Sequence, residues 1–122
     1  MSLVLVVDDD PVSIQLLELM LSRNGFDVLV ARGGASGLDM VHKHQPDLVI
    51  IDDMMPGMSG GEMCRRMKTN PHFYNIPVIL ISAGVRIQDD DYIREVGADY
   101  ALSKPALTRD VLQAVEFALA RS

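Results

Sequence analysis

The chain has 122 residues, 48% of them hydrophobic and 23% charged, and this length and composition predict one globular domain. Its formal net charge of −6 argues against a nucleic-acid-binding face, which requires clustered lysine and arginine side chains. The one cysteine, Cys64, excludes an intrachain disulfide, and neither a signal peptide nor an apolar run of about 18 residues is visible, so we expect a cytoplasmic protein that does not contact a membrane.

The first half of the chain alternates short aliphatic runs with segments of helical spacing. The predicted elements are, in order, a strand from Leu3 to Val7, a helix from Pro11 to about Asn24, a strand from Val28 to Ala31, a helix of roughly ten residues after Gly34, and a strand from Leu48 to Ile51. Asp10 is the predicted N-cap of the first helix, because Pro11 occupies a favoured first position. The third aliphatic run has no polar break, which is typical of a strand buried on both faces of a parallel sheet.

The second half of the chain continues this alternation. Its predicted elements are a helix from Glu62 to Lys68, a strand from Val78 to Ile81, a helix from Gln88 to Val96, a strand from Tyr100 to Leu102, and a last helix that begins at Thr108. Ser59 and Thr108 are the predicted N-caps of the third and last helices. Strand and helix alternate five times, which favours right-handed crossovers and a parallel sheet with helices on both faces. We therefore predict an α/β fold, a doubly wound five-stranded parallel sheet of flavodoxin-like order 2-1-3-4-5.

Polar side chains follow four of the predicted strands at the point where each strand ends. Asp8 and Asp9 follow the first strand, Asp52 the third, Ser82 the fourth and Lys104 the fifth. In the predicted order these four strands are neighbours, so their carboxyl ends meet at one edge of the sheet. Three carboxylates, a hydroxyl and an ammonium are therefore expected to share one pocket.

The predicted pocket has the groups needed for phosphoryl transfer to a protein side chain. Two carboxylates about 4 Å apart repel by about 4 kcal/mol at an effective dielectric constant near 20, so three of them need a cation nearby. Mg²⁺ suits a site of carboxylates, a backbone carbonyl and waters. A metal and a lysine together neutralise the charge on a phosphoryl group in transfer, and a carboxylate is a competent nucleophile for it.

Five stretches of the sequence carry a resemblance to a known family: Val6-Val7-Asp8-Asp9, Asp52-Asp53-Met54-Met55-Pro56-Gly57, Ile81-Ser82-Ala83, Gly97-Ala98-Asp99 and Lys104-Pro105. Each is weak alone, but together, in this order and spacing, they are highly specific. Over essentially its full length the chain resembles the receiver domain of bacterial two-component response regulators. The resemblance implies a single receiver domain over residues 1–122, with no output domain present, that acts in phosphorelay signal transduction rather than as an enzyme.

The resemblance also implies a phosphoacceptor and a metal site. The family's pattern places the phosphoacceptor aspartate four residues before a proline, which is Asp52 here, whereas Asp53 lies one residue off that register. Asp9, Asp52 and the backbone carbonyl of Met54 would bind Mg²⁺ directly, and Asp8 would act mainly through a bound water.

The remaining implied roles concern the switch and its partners. Ser82 would hydrogen-bond the phosphoryl group, Lys104 would pair with its oxygens, and the Lys104–Pro105 peptide bond would be cis. The implied donor is a phosphohistidine on a histidine kinase or histidine phosphotransfer protein, and the signal would pass to an output domain or an effector protein. The family usually has an aromatic residue three positions before the lysine, where this chain has Ala101, with Tyr100 one position earlier.

Two other interpretations of the acidic residues are open. Asp8 and Asp10 after an aliphatic strand also resemble the nucleophile motif of haloacid-dehalogenase-type phosphatases, with Asp8 phosphorylated and Asp10 as acid and base. Those enzymes are usually longer and carry a cap and a further acidic motif, both absent from this sequence. A degenerate receiver that serves only as an interaction module is the other alternative, and the complete set of polar residues at the strand ends argues against it.

Overall fold

One sheet of five parallel strands forms the centre of the protein in a computed structural model that describes residues 2–121. The strands are β1 (Leu3–Val7), β2 (Asp27–Ala31), β3 (Leu48–Asp52), β4 (Val78–Ser82) and β5 (Tyr100–Ser103). Their order is β2-β1-β3-β4-β5, and each neighbouring pair is parallel. The predicted doubly wound 2-1-3-4-5 sheet is therefore confirmed.

Within residues 2–121, four α-helices and one 3₁₀ turn connect the strands, and a fifth α-helix follows β5. They are α1 (Pro11–Ser22), α2 (Gly34–His44), α3 (Gly60–Lys68), the 3₁₀ turn (Val85–Gln88), α4 (Asp90–Val96) and α5 (Thr108–Arg121). Apolar residues of α2, α3 and α4 pack in one core cluster with one face of the sheet, and those of α1 and α5 pack in a second cluster with the other face. Within residues 2–121, no helix is long and apolar enough to cross a membrane.

The central strands are buried because alternate side chains point into both of these clusters. In β1, Leu5 and Val7 contact the cluster beneath α2 to α4, whereas Val4 and Val6 contact the cluster beneath α1 and α5. All five residues of β3 and of β4 are buried as well. This double burial explains why the strands appear in the sequence as aliphatic runs rather than as alternating patterns.

Helix starts follow the predicted caps, with three differences. Asp10 accepts a hydrogen bond from the Val12 amide, and Ser59 accepts one from the Glu62 amide, as predicted. The third helix begins at Gly60, directly after its cap and two residues before its predicted start. The predicted helix from Gln88 to Val96 is wrong in its first turn, because Asp89 caps a helix that begins one residue later. The predicted N-cap at the start of α5 is also one residue off, since the helix includes Thr108 and the preceding carbonyl of Leu107 accepts from the Val111 amide.

Candidate functional site

Three carboxylates meet at the carboxyl edge of the sheet. Val7 of β1 pairs with Ile51 of β3, and Asp8 and Asp52 are the next residues along the chain, so the two carboxylates leave neighbouring strands side by side. Oxygens of Asp8, Asp9 and Asp52 lie within 4.8 Å of one another. Asp8 and Asp52 are buried and Asp9 is exposed, so the cluster opens to solvent on the Asp9 side.

Lys104 brings a cation into this acidic cluster from the far end of β5. Its Nζ donates hydrogen bonds to Asp8 Oδ2 and to Asp52 Oδ2, both at 2.9 Å. Its backbone amide donates to the carbonyl of Ser82, and the Lys104–Pro105 peptide bond is cis, as the resemblance implied. Lys104 Nζ also donates to Ser13 Oγ at 3.1 Å. Ser13 was not among the predicted site residues, although its place in the first turn of α1, directly after the acidic residues, was an available signal.

The pKa of Asp52 is raised above its usual value, chiefly because the carboxyl is buried and also because Asp8 carries a like charge nearby. Hydrogen bonds from the Met54 amide and from Lys104 oppose this rise without cancelling it. For Lys104, burial lowers the pKa, but the hydrogen bonds and charges of Asp8 and Asp52 outweigh it and the net direction is upward. One lysine therefore does not fully compensate the negative charge of the cluster.

Oxygen ligands with uncompensated negative charge are what a hard divalent cation requires. Both oxygens of Asp8 are already hydrogen-bonded, one to the Asp10 amide and one to Lys104. Among the described residues, the carboxylate of Asp9 accepts no hydrogen bond, and it faces solvent. The donor set therefore fits Mg²⁺, with Asp9 better placed than Asp8 to offer a free oxygen.

Ser82 ends β4 next to this cluster with only 1% of its surface exposed. Its Oγ accepts a hydrogen bond from the Gly84 amide at 3.0 Å. Within residues 2–121, the hydroxyl hydrogen has no acceptor, so it is available to an incoming oxygen. Gly84 in turn lies against the thioether of Met54, from which a Cβ at position 84 would be only 2.8 Å away.

Asp53, which the sequence placed outside the site, is fully buried and engaged on the side of α3 and α4. Its Oδ1 accepts from the Gly61 amide at 2.9 Å, from the Tyr92 hydroxyl at 2.7 Å and from an Arg86 NH₂ group at 3.1 Å, and its Oδ2 accepts from Arg86 Nε at 2.6 Å. Burial, together with the hydrogen bond to Asp53, raises the pKa of Tyr92 to about 12. The sequence carried no signal for this cluster, because its members lie 33 and 39 residues from Asp53.

Residues 4–116 match the sequence profile of the family described as the response regulator receiver domain. The chain belongs to this family. Solved structures agree with the assignment of a receiver domain. The receiver domain of a signal transduction histidine kinase from Syntrophus aciditrophicus is 30% identical, with a TM-score of 0.91 over 98% of this chain and 91% of that one.

Two further structures support the same assignment. A response regulator receiver domain protein from Clostridium thermocellum is 27% identical, with a TM-score of 0.90 over 99% of this chain and 96% of that one. The chemotaxis protein CheY4 of Vibrio cholerae is 25% identical, with a TM-score of 0.90 over 97% of this chain and 98% of that one. The chain is therefore a receiver domain of two-component signalling, a signalling domain rather than a classical enzyme.

Tyr100 and Ala101 of this receiver domain point to opposite faces of the sheet, as residues one apart on a strand must. The ring of Tyr100 packs on the α5 side against Phe117, with ring centroids 5.5 Å apart. Ala101 contacts the core cluster on the α4 side. Tyr100 therefore does not take the place of an aromatic ring on the α4 side of β5.

Proposed function

We propose that this receiver domain accepts a phosphoryl group on Asp52 from the phosphohistidine of a histidine kinase or of a histidine phosphotransfer protein. The observation that carries the proposal is the shared ammonium group, since Lys104 contacts Asp52 and Asp8 at 2.9 Å each. A carboxylate with a lysine on one oxygen, an acidic pair beside it and an available hydroxyl nearby has the groups that phosphoryl transfer requires.

In the proposed reaction a carboxylate oxygen of Asp52 attacks the phosphorus of the donor. The phosphorus–nitrogen bond breaks, its electron pair returns to the imidazole, and an acyl phosphate forms on Asp52. Lys104 balances charge on the phosphoryl oxygens, because its Nζ already lies 2.9 Å from Asp52 Oδ2. The Ser82 hydroxyl donates a hydrogen bond to the transferred phosphoryl group. Met54 and Gly84, which lie in contact, flank the path by which water later hydrolyses the acyl phosphate.

Asp9, Asp52 and the backbone carbonyl of Met54 would hold Mg²⁺ directly, and Asp8 would hold it through a water. When bound, the cation would neutralise charge on the acidic cluster and on the phosphoryl oxygens. The two hydrogen bonds that Asp8 already accepts favour its indirect role.

A surface for a protein donor adjoins the site. A groove of about 280 Å³ runs between α1 and the start of α5, beside Lys104. Leu16 and Met20 line one wall, and Pro105 and Ala106 line the other. Leu16 is 53% exposed, which is high for a large apolar side chain and supports docking of a partner protein over the phosphoacceptor.

The signal in this proposal passes from Asp52 to an output domain or an effector protein. The phosphoryl group adds a charge of about −2 and three acceptor oxygens, which Ser82 and Lys104 engage. We place the whole of residues 1–122 in one receiver domain that works in the cytoplasm. Because Ala101 offers only a methyl group, the route through Ser82 and the segment from Ala83 to Gln88 carries the main change.

The phosphatase alternative is not favoured by the surroundings of Asp10. Its carboxylate accepts from the Val12 amide and from the Ser13 hydroxyl, and these hydrogen bonds lower its pKa. An acid that must donate a proton near neutral pH needs a raised pKa. Asp10 is therefore a helix cap rather than a general acid.

The test is phosphorylation of the purified protein by acetyl phosphate and Mg²⁺, followed by borohydride trapping and peptide mass mapping. One phosphoryl group is expected on Asp52, and Asp52→Asn should abolish it. Asp10→Asn is the matched control and should be labelled like the wild type. Label on Asp8 that survives Asp52→Asn would overturn the proposal in favour of the phosphatase.

A further inference from the structure

Every polar atom of Asp53 is used in the structure. Its backbone amide donates to the carbonyl of Ile81 in β4, and its backbone carbonyl accepts from the Gly60 amide at the start of α3. Its carboxylate binds Gly61 of α3, Arg86 of the 3₁₀ turn and Tyr92 of α4. The residue beside the proposed phosphoacceptor thus joins four separate elements.

Arg86 and Tyr92 also contact each other. The Arg86 guanidinium lies over the Tyr92 ring, 4.6 Å from its centroid. Gly61 leaves room for this arrangement, because a Cβ at position 61 would collide with the Tyr92 hydroxyl. The Arg86 side chain is 51% exposed whereas that of Asp53 is 0% exposed, so Arg86 is the member of the pair that can move into solvent. We call Asp53, Arg86 and Tyr92 the Asp53 latch.

The first half of α4 depends on this latch. The helix has only seven residues, and its one buried residue is Val96 at the C-terminal end. On β5, Ala101 contributes only a small side chain to the cluster on this side. The N-terminal half of α4 is therefore held by the hydrogen bond from Tyr92 to Asp53 together with the partly buried side chains of Tyr92 and Ile93, which pack against the same cluster.

Ser82 is linked to the latch through a short segment of chain. Its Oγ holds the Gly84 amide, and three residues separate Ser82 from Arg86. Val85 within this segment is 84% exposed and has little packing to hold it in place. If Ser82 turns towards a group on Asp52, Gly84 follows it, and the displacement reaches Arg86.

From these contacts we infer that the Asp53 latch holds α4 while Asp52 is unmodified, and that it loosens when Asp52 carries a phosphoryl group. The inference rests on the proposed function. Movement of the segment after Ser82 pulls on Arg86, whose guanidinium is held by both oxygens of Asp53. Release of Arg86 frees Tyr92 and with it the start of α4.

The test compares amide hydrogen exchange in the wild type and in Arg86→Gln, with and without Mg²⁺ and beryllofluoride, a phosphoryl mimic. Fluorine NMR reports whether the adduct has formed on Asp52. In the wild type, the adduct should accelerate exchange of the α4 amides about tenfold, because local opening becomes easier. In Arg86→Gln, exchange should already be about tenfold faster without the adduct, and the adduct should add less than about twofold.

Arg94→Gln is the matched control, because it removes an arginine of α4 whose ion pair with Asp91 is exposed on both sides. It should behave like the wild type, and the amides of α5 should not change in any sample. Tyr92→Phe removes only the hydroxyl and should give an intermediate acceleration, so it tests the latch even where Arg86→Gln does not fold.

Two results would overturn the inference alone: an adduct that leaves α4 exchange unchanged or slower, or variants of Arg86 and Tyr92 that match Arg94→Gln. Failure of the fluorine signal to appear on Asp52 would instead overturn the proposed function, and the inference with it. The two failures are thus read from different signals.

Discussion

Two adjacent carboxylates at the end of β3 have opposite electrostatic surroundings. For Asp52, burial and the charge of Asp8 raise the pKa. For Asp53, burial also acts to raise the pKa, but hydrogen bonds from Arg86, Tyr92 and the Gly61 amide outweigh it and the net direction is downward. Ionised Asp52 therefore destabilises the metal-free fold, whereas ionised Asp53 stabilises it.

Replacing the first of these carboxylates should make the metal-free protein more stable. A carboxyl group whose pKa is higher in the folded than in the unfolded state makes the fold less stable when it ionises. The free energy of unfolding therefore falls as the pH rises from the unfolded pKa of 3.8 through the higher, folded pKa. We expect Asp52→Asn to raise the free energy of unfolding by about 1 kcal/mol at about pH 7 without Mg²⁺, and this gain should shrink below that pH window. Urea denaturation of the wild type and of Asp52→Asn, at about pH 7 and at a pH below 3.8, measures the gain.

Asp53→Asn is the matched control, with the opposite sign. Its carboxylate contributes stability that is present above 3.8 and is lost as pH falls through the lower, folded pKa. At about pH 7 the substitution should lower the free energy of unfolding by about 2 kcal/mol, since Arg86 and Tyr92 lose a charged partner. Equal effects of the two substitutions would contradict the assignment of opposite roles.

At the scale of elements, the start of α3 is docked against the end of β3. Gly60 lies so close that a Cβ there would collide with the backbone carbonyl of Asp52. The Gly60 amide donates to the Asp53 carbonyl in the same contact. Neither partner is a flexible side chain, so the contact cannot easily adjust.

Gly60→Ala should therefore lower the free energy of unfolding by about 3 kcal/mol, because backbone must move to admit the methyl group. Gly57→Ala is the control, since Gly57 has a φ of +74° and no heavy atom within 4 Å of a Cβ. It should cost only about 1 kcal/mol of backbone strain. Thermal or urea unfolding of the pair would measure both, and a Gly60→Ala cost no larger than that of Gly57→Ala would contradict the tight contact.

The elements that the sequence predicted well are those whose packing follows from the hydrophobic pattern. Strands buried on both faces need continuous aliphatic runs, so β1, β3 and β4 were predictable from those runs. The partly buried edge strands β2 and β5 and the strand order followed from the regular alternation of strand and helix. The 3₁₀ turn was not predictable, because it forms where Asp89 caps α4 rather than lying within that helix.

The candidate site likewise contains some residues that were predictable from the sequence and some that were not. Asp8, Asp52 and Lys104 follow strands whose carboxyl ends must meet, so their convergence was predictable. Arg86 and Tyr92 contact Asp53 only because the segment between β4 and α4 follows an irregular path, and no local sequence pattern predicts that path. The functional roles of the converging residues remain predictions.

At the scale of the whole molecule, Mg²⁺ should stabilise the folded state. Folding gathers three carboxylates that the unfolded chain disperses, so the cation binds the native state preferentially. At a hundredfold excess over its dissociation constant, the gain is about 2.7 kcal/mol. Thermal melts with and without Mg²⁺ measure it. Asp9→Asn should lose the gain and Asp90→Asn, outside the cluster, should keep it; equal responses of Asp9→Asn and the wild type would mean that the metal site is misplaced.

Lys104 and Asp8 share a hydrogen bond although they are 96 residues apart in the chain. Translation delivers the acidic residues first, and β5 with its lysine emerges only after the four other strands. A nascent receiver domain thus holds its carboxylates without their cation while most of the domain is being made. Under the proposed function, a nascent chain that still lacks β5 cannot draw phosphoryl groups from the cell's kinases, and competence to receive a signal arrives only when Lys104 has been translated and packed beside Asp8.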